Sequence, residues 1–168
     1  VGARYLTSAT GMTMHQIKAN PSKARELYEP VKKNIHIKDA SNRDMAWVES
    51  ICKAYKPDIV VLDMGDKFAR TGGFARTDEA LKANAIYARQ IAKSHECAIF
   101  YMSQLSAEAE GKVYLNQAMM EGSRTGKAAE ADLMILIAKD SVKNPDSGDE
   151  ESPARHLNIV KNKLSGWH

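Results

Sequence analysis

Two apolar stretches of this chain end in residues with chemistry to offer. In residues 56–66, KPDIVVLDMGD, four apolar residues run straight into Asp63. In residues 97–105, CAIFYMSQL, a second apolar run ends at Ser103 and Gln104. An acid at the carboxyl end of a buried strand can hold Mg²⁺, directly or through water, against a nucleotide. A glutamine there can touch a terminal phosphate and report its loss. Asp63 alone is equally well explained as an N-cap or a solvated strand end. Asp63 and Gln104 on strands linked by one helix are more specific than either residue alone.

The same reasoning weighs other residues. Lys161 and Lys163 alternate at the end of LNIVKNKLSGWH, and alternation along a strand puts both on one face. They can reach a phosphate or a neighbouring subunit, or form a charged edge that discourages aggregation. Residues 66–76 hold Lys67, Arg70 and Arg76 among glycines, and the later loop holds Lys112 and Asn116 with Glu108 and Glu110. Cations on loops suit backbone contacts to a single-stranded nucleic acid, or are solvated surface. A phosphate cradle needs G-x-x-x-x-G-K-[ST] after a strand. The nearest segment, EGSRTGKAA, has Glu121 and Ala128 at the defining positions and no apolar strand before it, so it is rejected. The five histidines are scattered, and the acids at 146–151 miss the calcium-loop pattern.

The elements that must position these residues alternate. Helices are expected over 4–19 and 22–32, broken at Asn20-Pro21. A short strand is expected at 35–38. A helix then opens at Ser41, with Met45, Val48, Cys52 and Tyr55 at helical spacing. Residues 59–63, continuous and β-branched, suit a strand buried on both faces. A helix from Thr77 buries Leu81, Ala85, Ala88 and Ala92. Strands follow at 97–102, 133–138 and 156–161, with a short helix near 126–131. Strand–helix alternation implies crossover connections and a mostly parallel sheet, with a hairpin of the last two strands at one edge.

The 168 residues fit one domain with its own core, and 43% hydrophobic with 27% charged excludes a disordered composition. No apolar run approaches a membrane span. Cys52 and Cys97 lack metal spacing and read as reduced core thiols of a cytosolic protein. A net charge of +3 permits nucleic-acid binding without demanding it.

Taken in order, the segments PDIVVLDMGD, CAIFYMSQLS, GSRTGKAAEADLMILIAKD and HLNIVKNKLSG resemble the C-terminal RecA-like motor of DnaB-type hexameric replicative helicases, phage primase-helicases especially. RYLTSATGMTMHQIKAN is similar to the family's helix after its first ATPase motifs. There are departures. Lys163 stands where an arginine finger is common, and VKNK is closer to the strand-recombinase RecA. Ala118-Met119-Met120 replace the family's Asp-Leu-Arg.

The resemblance implies a single partial RecA-like helicase ATPase domain over 1–168, α/β, with helices flanking the sheet. The P-loop strand is absent, and the phosphate cradle and catalytic glutamate are expected upstream of Val1. It implies ATP and Mg²⁺ as cofactors. Asp63 would organise the metal, Gln104 would sense the γ-phosphate, and Lys161 and Lys163 would act across a subunit boundary. Lys67, Arg70, Arg76, Lys112 and Asn116 would grip single-stranded DNA inside a hexameric ring, with a primase as a possible further partner. Cytoplasmic work, in a bacterial host if phage-encoded, is expected. A recombinase core and a non-catalytic degenerate module that completes a partner's site stay open as alternatives.

Overall fold

The computed structural model describes residues 2–69, 76–122, 125–139 and 154–165. The chain forms two compact units, Val1–Asp39 and Ala40–His168. The first holds three helices, α1 (Gly2–Thr10), α2 (Met14–Ala19) and α3 (Pro21–Lys32). The helix expected over 4–19 is divided at Gly11, whose φ of +66° suits a residue without a Cβ. Thr13 restarts it with a capping box. Its hydroxyl accepts from the Gln16 amide at 3.2 Å, and Gln16 Oε1 accepts from the Thr13 amide at 2.8 Å. Residues 35–38 carry no regular secondary structure, contrary to the expected strand. A strand exists only where a neighbour takes up its backbone groups, and among the described residues no ladder includes these.

The second unit opens with α4 (Met45–Tyr55). Its N-cap is Asp44 rather than Ser41, with Asp44 Oδ1 accepting from the Trp47 amide at 2.9 Å. Lys56 ends the helix in the left-handed region, φ +46°, and Pro57 disfavours a return to helical backbone before it. Next come β1 (Ile59–Leu62), α5 (Thr77–Ser94) and β2 (Ala98–Tyr101). Strands β1 and β2 pair in parallel, Leu62 opposite Tyr101, as a right-handed crossover through α5 permits. Then follow α6 (Gly126–Glu130), β3 (Leu133–Lys139) and β4 (Arg155–Asn162), the last two antiparallel. Among the described residues the sheet is thus two two-stranded pieces, β1–β2 and β3–β4. The acidic turn at 146–151 lies outside the described residues.

Burial is one-sided. Met45, Val48 and Cys52 of α4 pack with Leu62, Phe68, Ala88 and Ile91 in one core. Met134, Leu136 and Ala138 of β3 pack with Leu115, Met119, Met120 and Ala128 in a second. The alternate strand residues face away. Ile59, Val61, Phe100, Ile135, Ile137, Leu157 and their like are 41–66% exposed. Residues 59–62 are therefore not buried on both faces as expected. Helices α4 and α5 cover one face of β1–β2, and among the described residues of the second unit nothing covers the other. The continuous apolar run supplies a second face that the described residues of this unit leave bare.

Candidate functional site

The site lies where β1 and β2 leave the sheet side by side. Met102 donates its amide to Leu62 O at 3.1 Å, and Gly65 donates to Met102 O at 2.8 Å. These bonds carry the pairing past the strands and bring the segments holding Asp63 and Gln104 out at the same end. Asp63 and Gln104 are both exposed. Met64 turns the chain in the left-handed region, φ +57°. The turn Gly65–Lys67 follows as a short 3₁₀ segment. Gly65 is buried against Tyr101, and a Cβ there would sit 2.6 Å from the ring. Only glycine lets this turn lie so close to β2.

Beneath the exposed pair lies a polar cluster that sequence reasoning missed. Lys127, on α6, is 4% exposed. Its ammonium donates to Asp66 Oδ2 at 2.9 Å, to Ser103 Oγ at 2.7 Å and to the Glu121 carbonyl at 2.7 Å. Three acceptors match its three protons. The Ser103 hydroxyl donates onward to Asp66 Oδ2. The Tyr101 hydroxyl faces Asp66 Oδ1 at 3.4 Å. Burial, and then the Asp66 charge, push the Tyr101 phenol above its ordinary range. The Asp66 side chain is 16% exposed, so this is a largely desolvated ion pair. Removing one partner of such a pair is worth about 3–5 kcal/mol of stability. The sequence signal was present in GKAAEAD, a lone lysine among small residues just before a strand. It was set aside because the segment fails as a phosphate cradle.

Lys161 and Lys163 come together at the other end of α6. Lys161 donates to the carbonyls of Ala128 and Ala129, the second at 3.2 Å, and Lys163 to Ala129 at 3.3 Å. Arg89 of α5 donates to the Glu130 carbonyl and pairs with Asp132 at 3.2 Å. Three cations thus satisfy the last carbonyls of a short helix, where its dipole favours them. Partial burial, and then the neighbouring Lys163, lower the Lys161 pKa.

The remaining expected residues are placed as follows. Lys67 is exposed in the turn after β1. Arg70 lies outside the described residues. Arg76 is engaged with Asp78 through two bonds of 3.1 and 3.0 Å. Asn116 accepts from the Ala118 amide at 3.0 Å, capping a 3₁₀ turn. Lys112 is exposed, and Tyr114 beside it is the most exposed large apolar residue described, at 87%. That loop is held on β4. The Asn158 amide takes the Leu115 N–H at 3.2 Å and donates to the Val113 carbonyl at 3.1 Å.

Among the described residues no three His, Cys, Asp or Glu side chains gather as a metal site. The fit to Mg²⁺ is instead that of one exposed carboxylate, Asp63. This ion commonly takes one or two carboxylates and completes its shell with water and substrate phosphates. Asp66 is already engaged by Lys127 and Ser103. No helix among the described residues is long and apolar enough to cross a membrane.

No family model and no curated protein matches the chain. Solved structures do. A DnaB-like replicative helicase, described with its interactions with primase, matches at 17% identity and a TM-score of 0.74, over 96% of this chain and 43% of its own. A separately solved ATPase domain matches at 16% identity and a TM-score of 0.78, over 96% of this chain and 62% of its own. The chain therefore spans about half the length of the structures it matches. Its fold is the RecA-like fold of DnaB-type helicase ATPase domains.

Proposed function

We propose that this chain is the C-terminal part of the motor domain of a replicative DNA helicase, working in the cytoplasm and driven by ATP bound between subunits of a hexameric ring. The observation that carries the reading is the exit of Asp63 and Gln104 from adjacent parallel strands on a fold shared with helicase ATPase domains. In doubly wound sheets ligands bind beyond these strand ends. The exposed apolar face of β1–β2 supports the reading, because such a face is a docking surface for further structure, which on this reading would carry the phosphate cradle and general base.

Bound Mg²⁺ would neutralise phosphate charge in the transition state. Asp63 would hold it, and the Gln104 side chain would hydrogen-bond the terminal phosphate. Lys161 and Lys163 would turn from the α6 carbonyls toward a neighbouring subunit's nucleotide and supply positive charge where negative charge develops. Lys67, Arg70, Arg76, Lys112 and Asn116 would line the path of single-stranded DNA, with Tyr114 offering a stacking surface for a base. Arg76 would first have to release Asp78. A primase is a further partner on this reading, by analogy with the matched helicase.

The test is single-stranded-DNA-stimulated ATP turnover by the full-length protein. Asp63→Asn and Gln104→Ala should each lower kcat by at least ten-fold, and unchanged turnover in both refutes the assignment. A strand-recombinase core is favoured by one observation, the paired Lys161 and Lys163 in place of an arginine. Imaging with ATP and single-stranded DNA separates the two readings: rings for a helicase, filaments for a recombinase.

A further inference from the structure

We propose that Lys127 is a positioning residue that fixes Gln104 and the turn after β1 in one geometry, and through α6 ties them to Lys161 and Lys163. The inference deepens the reading of Gln104 as part of an ATP site and rests on it. Its ground is a closed circuit of bonds. Glu121 donates its amide to the Gln104 carbonyl at 3.2 Å. The Glu121 carbonyl accepts from Lys127 at 2.7 Å, and Lys127 donates to Ser103, the residue before Gln104, at 2.7 Å. The Gln104 backbone is therefore held on both sides through one ammonium. The same ammonium holds Asp66, three residues past Asp63, at 2.9 Å.

Burial makes this arrangement discrete. A charge 4% exposed cannot trade these partners for water without opening the packing. A shift of the Gln104 backbone on gain or loss of a phosphate must either carry Lys127 with it or break the circuit. Lys127 also sits in the first turn of α6, a five-residue helix whose Ala128 and Ala129 carbonyls hold Lys161 of β4 and Lys163 just past it. One turn of helix is all that separates the two groups, so a shift at Gln104 has a short mechanical path to the lysines.

The experiment compares full-length wild type with Lys127→Met, Ser103→Ala and a core control, Met45→Ala. For Lys127→Met the expected result is a kcat for DNA-stimulated ATP turnover lowered at least ten-fold, with ATP Kd within three-fold of wild type. Ser103→Ala removes one acceptor with little change of volume and should lower kcat about three-fold. It decides the matter should Lys127→Met fail to fold. Met45→Ala, compared at equal distance below its melting temperature, should keep kcat within about two-fold. Equal kcat losses in Met45→Ala and Lys127→Met would mean general destabilisation and overturn the proposal, as would an unchanged kcat in Lys127→Met.

Hydrogen exchange judges the circuit without ATP. The Gly65 and Glu121 amides should exchange at least ten-fold faster in Lys127→Met, or several-fold faster in Ser103→Ala. Unchanged exchange overturns the proposal whatever the turnover shows. A wild-type protein that exchanges as expected but turns over no ATP refutes the motor reading, and with it the role assigned to Lys127 in positioning Gln104 for ATP.

Discussion

Replacing Gly65 with alanine tests the geometry beneath the site. The new Cβ would lie 2.6 Å from Cε1 and Cζ of Tyr101 and 2.9 Å from Cδ1. Ordinary contact begins near 3.4 Å, so the ring must retreat by most of an ångström. Tyr101 has little freedom to do so. It is paired with Leu62 across the parallel ladder, and its hydroxyl faces Asp66. Overpacking of this kind is worth about 1–3 kcal/mol. Lower entropy of the unfolded chain returns about 0.4–1 kcal/mol. The net destabilisation is about 0–2.6 kcal/mol, a fall in Tm of up to roughly 10 °C for a domain of this size. Thermal unfolding of wild type, Gly65→Ala, Tyr101→Ala and the double variant gives the coupling directly. With the ring removed only the entropy gain remains, so Gly65→Ala should stabilise by about 0.4–1 kcal/mol, leaving a coupling energy of about 1–3 kcal/mol. The reasoning fails if Gly65→Ala is as harmful beside alanine as beside tyrosine, or if it stabilises the wild type.

Other expectations concern separate parts of the molecule. Cys52 is fully buried, and burial followed by the neighbouring Cys97 pushes its thiol up to about 11. At pH 8 it should resist alkylation in the folded protein and react only on unfolding, as mass spectrometry of iodoacetamide-treated protein would show. Glu49 accepts from Lys53 at 2.8 Å and from the Tyr87 hydroxyl at 2.7 Å, and these contacts lower its pKa. Because the folded-state pKa is the lower one, its stabilisation is present above about pH 4–5 and is lost as pH falls through the folded value. Glu49→Gln should therefore melt below wild type at pH 7, and the gap should close toward pH 3. Tyr114→Ala should weaken single-stranded DNA binding by about 1–3 kcal/mol with little change in salt dependence, and Tyr114→Trp should restore it. Fluorescence anisotropy of a labelled oligonucleotide over a salt series would read both.

What the sequence disclosed follows from which forces are local. IVVLD announced β1 because β-branched residues in an unbroken apolar run fit a sheet, and Asp63 marked its end. It could not announce the bare face, since a run apolar on both sides looks the same whether one face or two are covered. Residues 35–38 have the composition of a strand, but pairing is a long-range property and no ladder among the described residues includes them. Ser41 reads as the start of α4, but the chain turns through the left-handed region at Asn42, φ +58°, and the cap is Asp44. Lys127 was the costliest misreading. A motif pattern asks whether a lysine can serve phosphate, whereas its partners, Asp66 and Ser103, lie 61 and 24 residues away. Lys161 and Lys163 were legible as a pair on one face, but not as caps on the α6 carbonyls.

The central claim is that Asp63 organises a metal on a nucleotide. Its most direct measurement is the ratio of affinities for Mg·ATP and metal-free ATP, by calorimetry, in full-length wild type and Asp63→Asn. The account predicts that the advantage of Mg·ATP falls at least ten-fold in the variant, while metal-free ATP binds both proteins alike. An unchanged ratio would contradict it and return Asp63 to an ordinary solvated strand end.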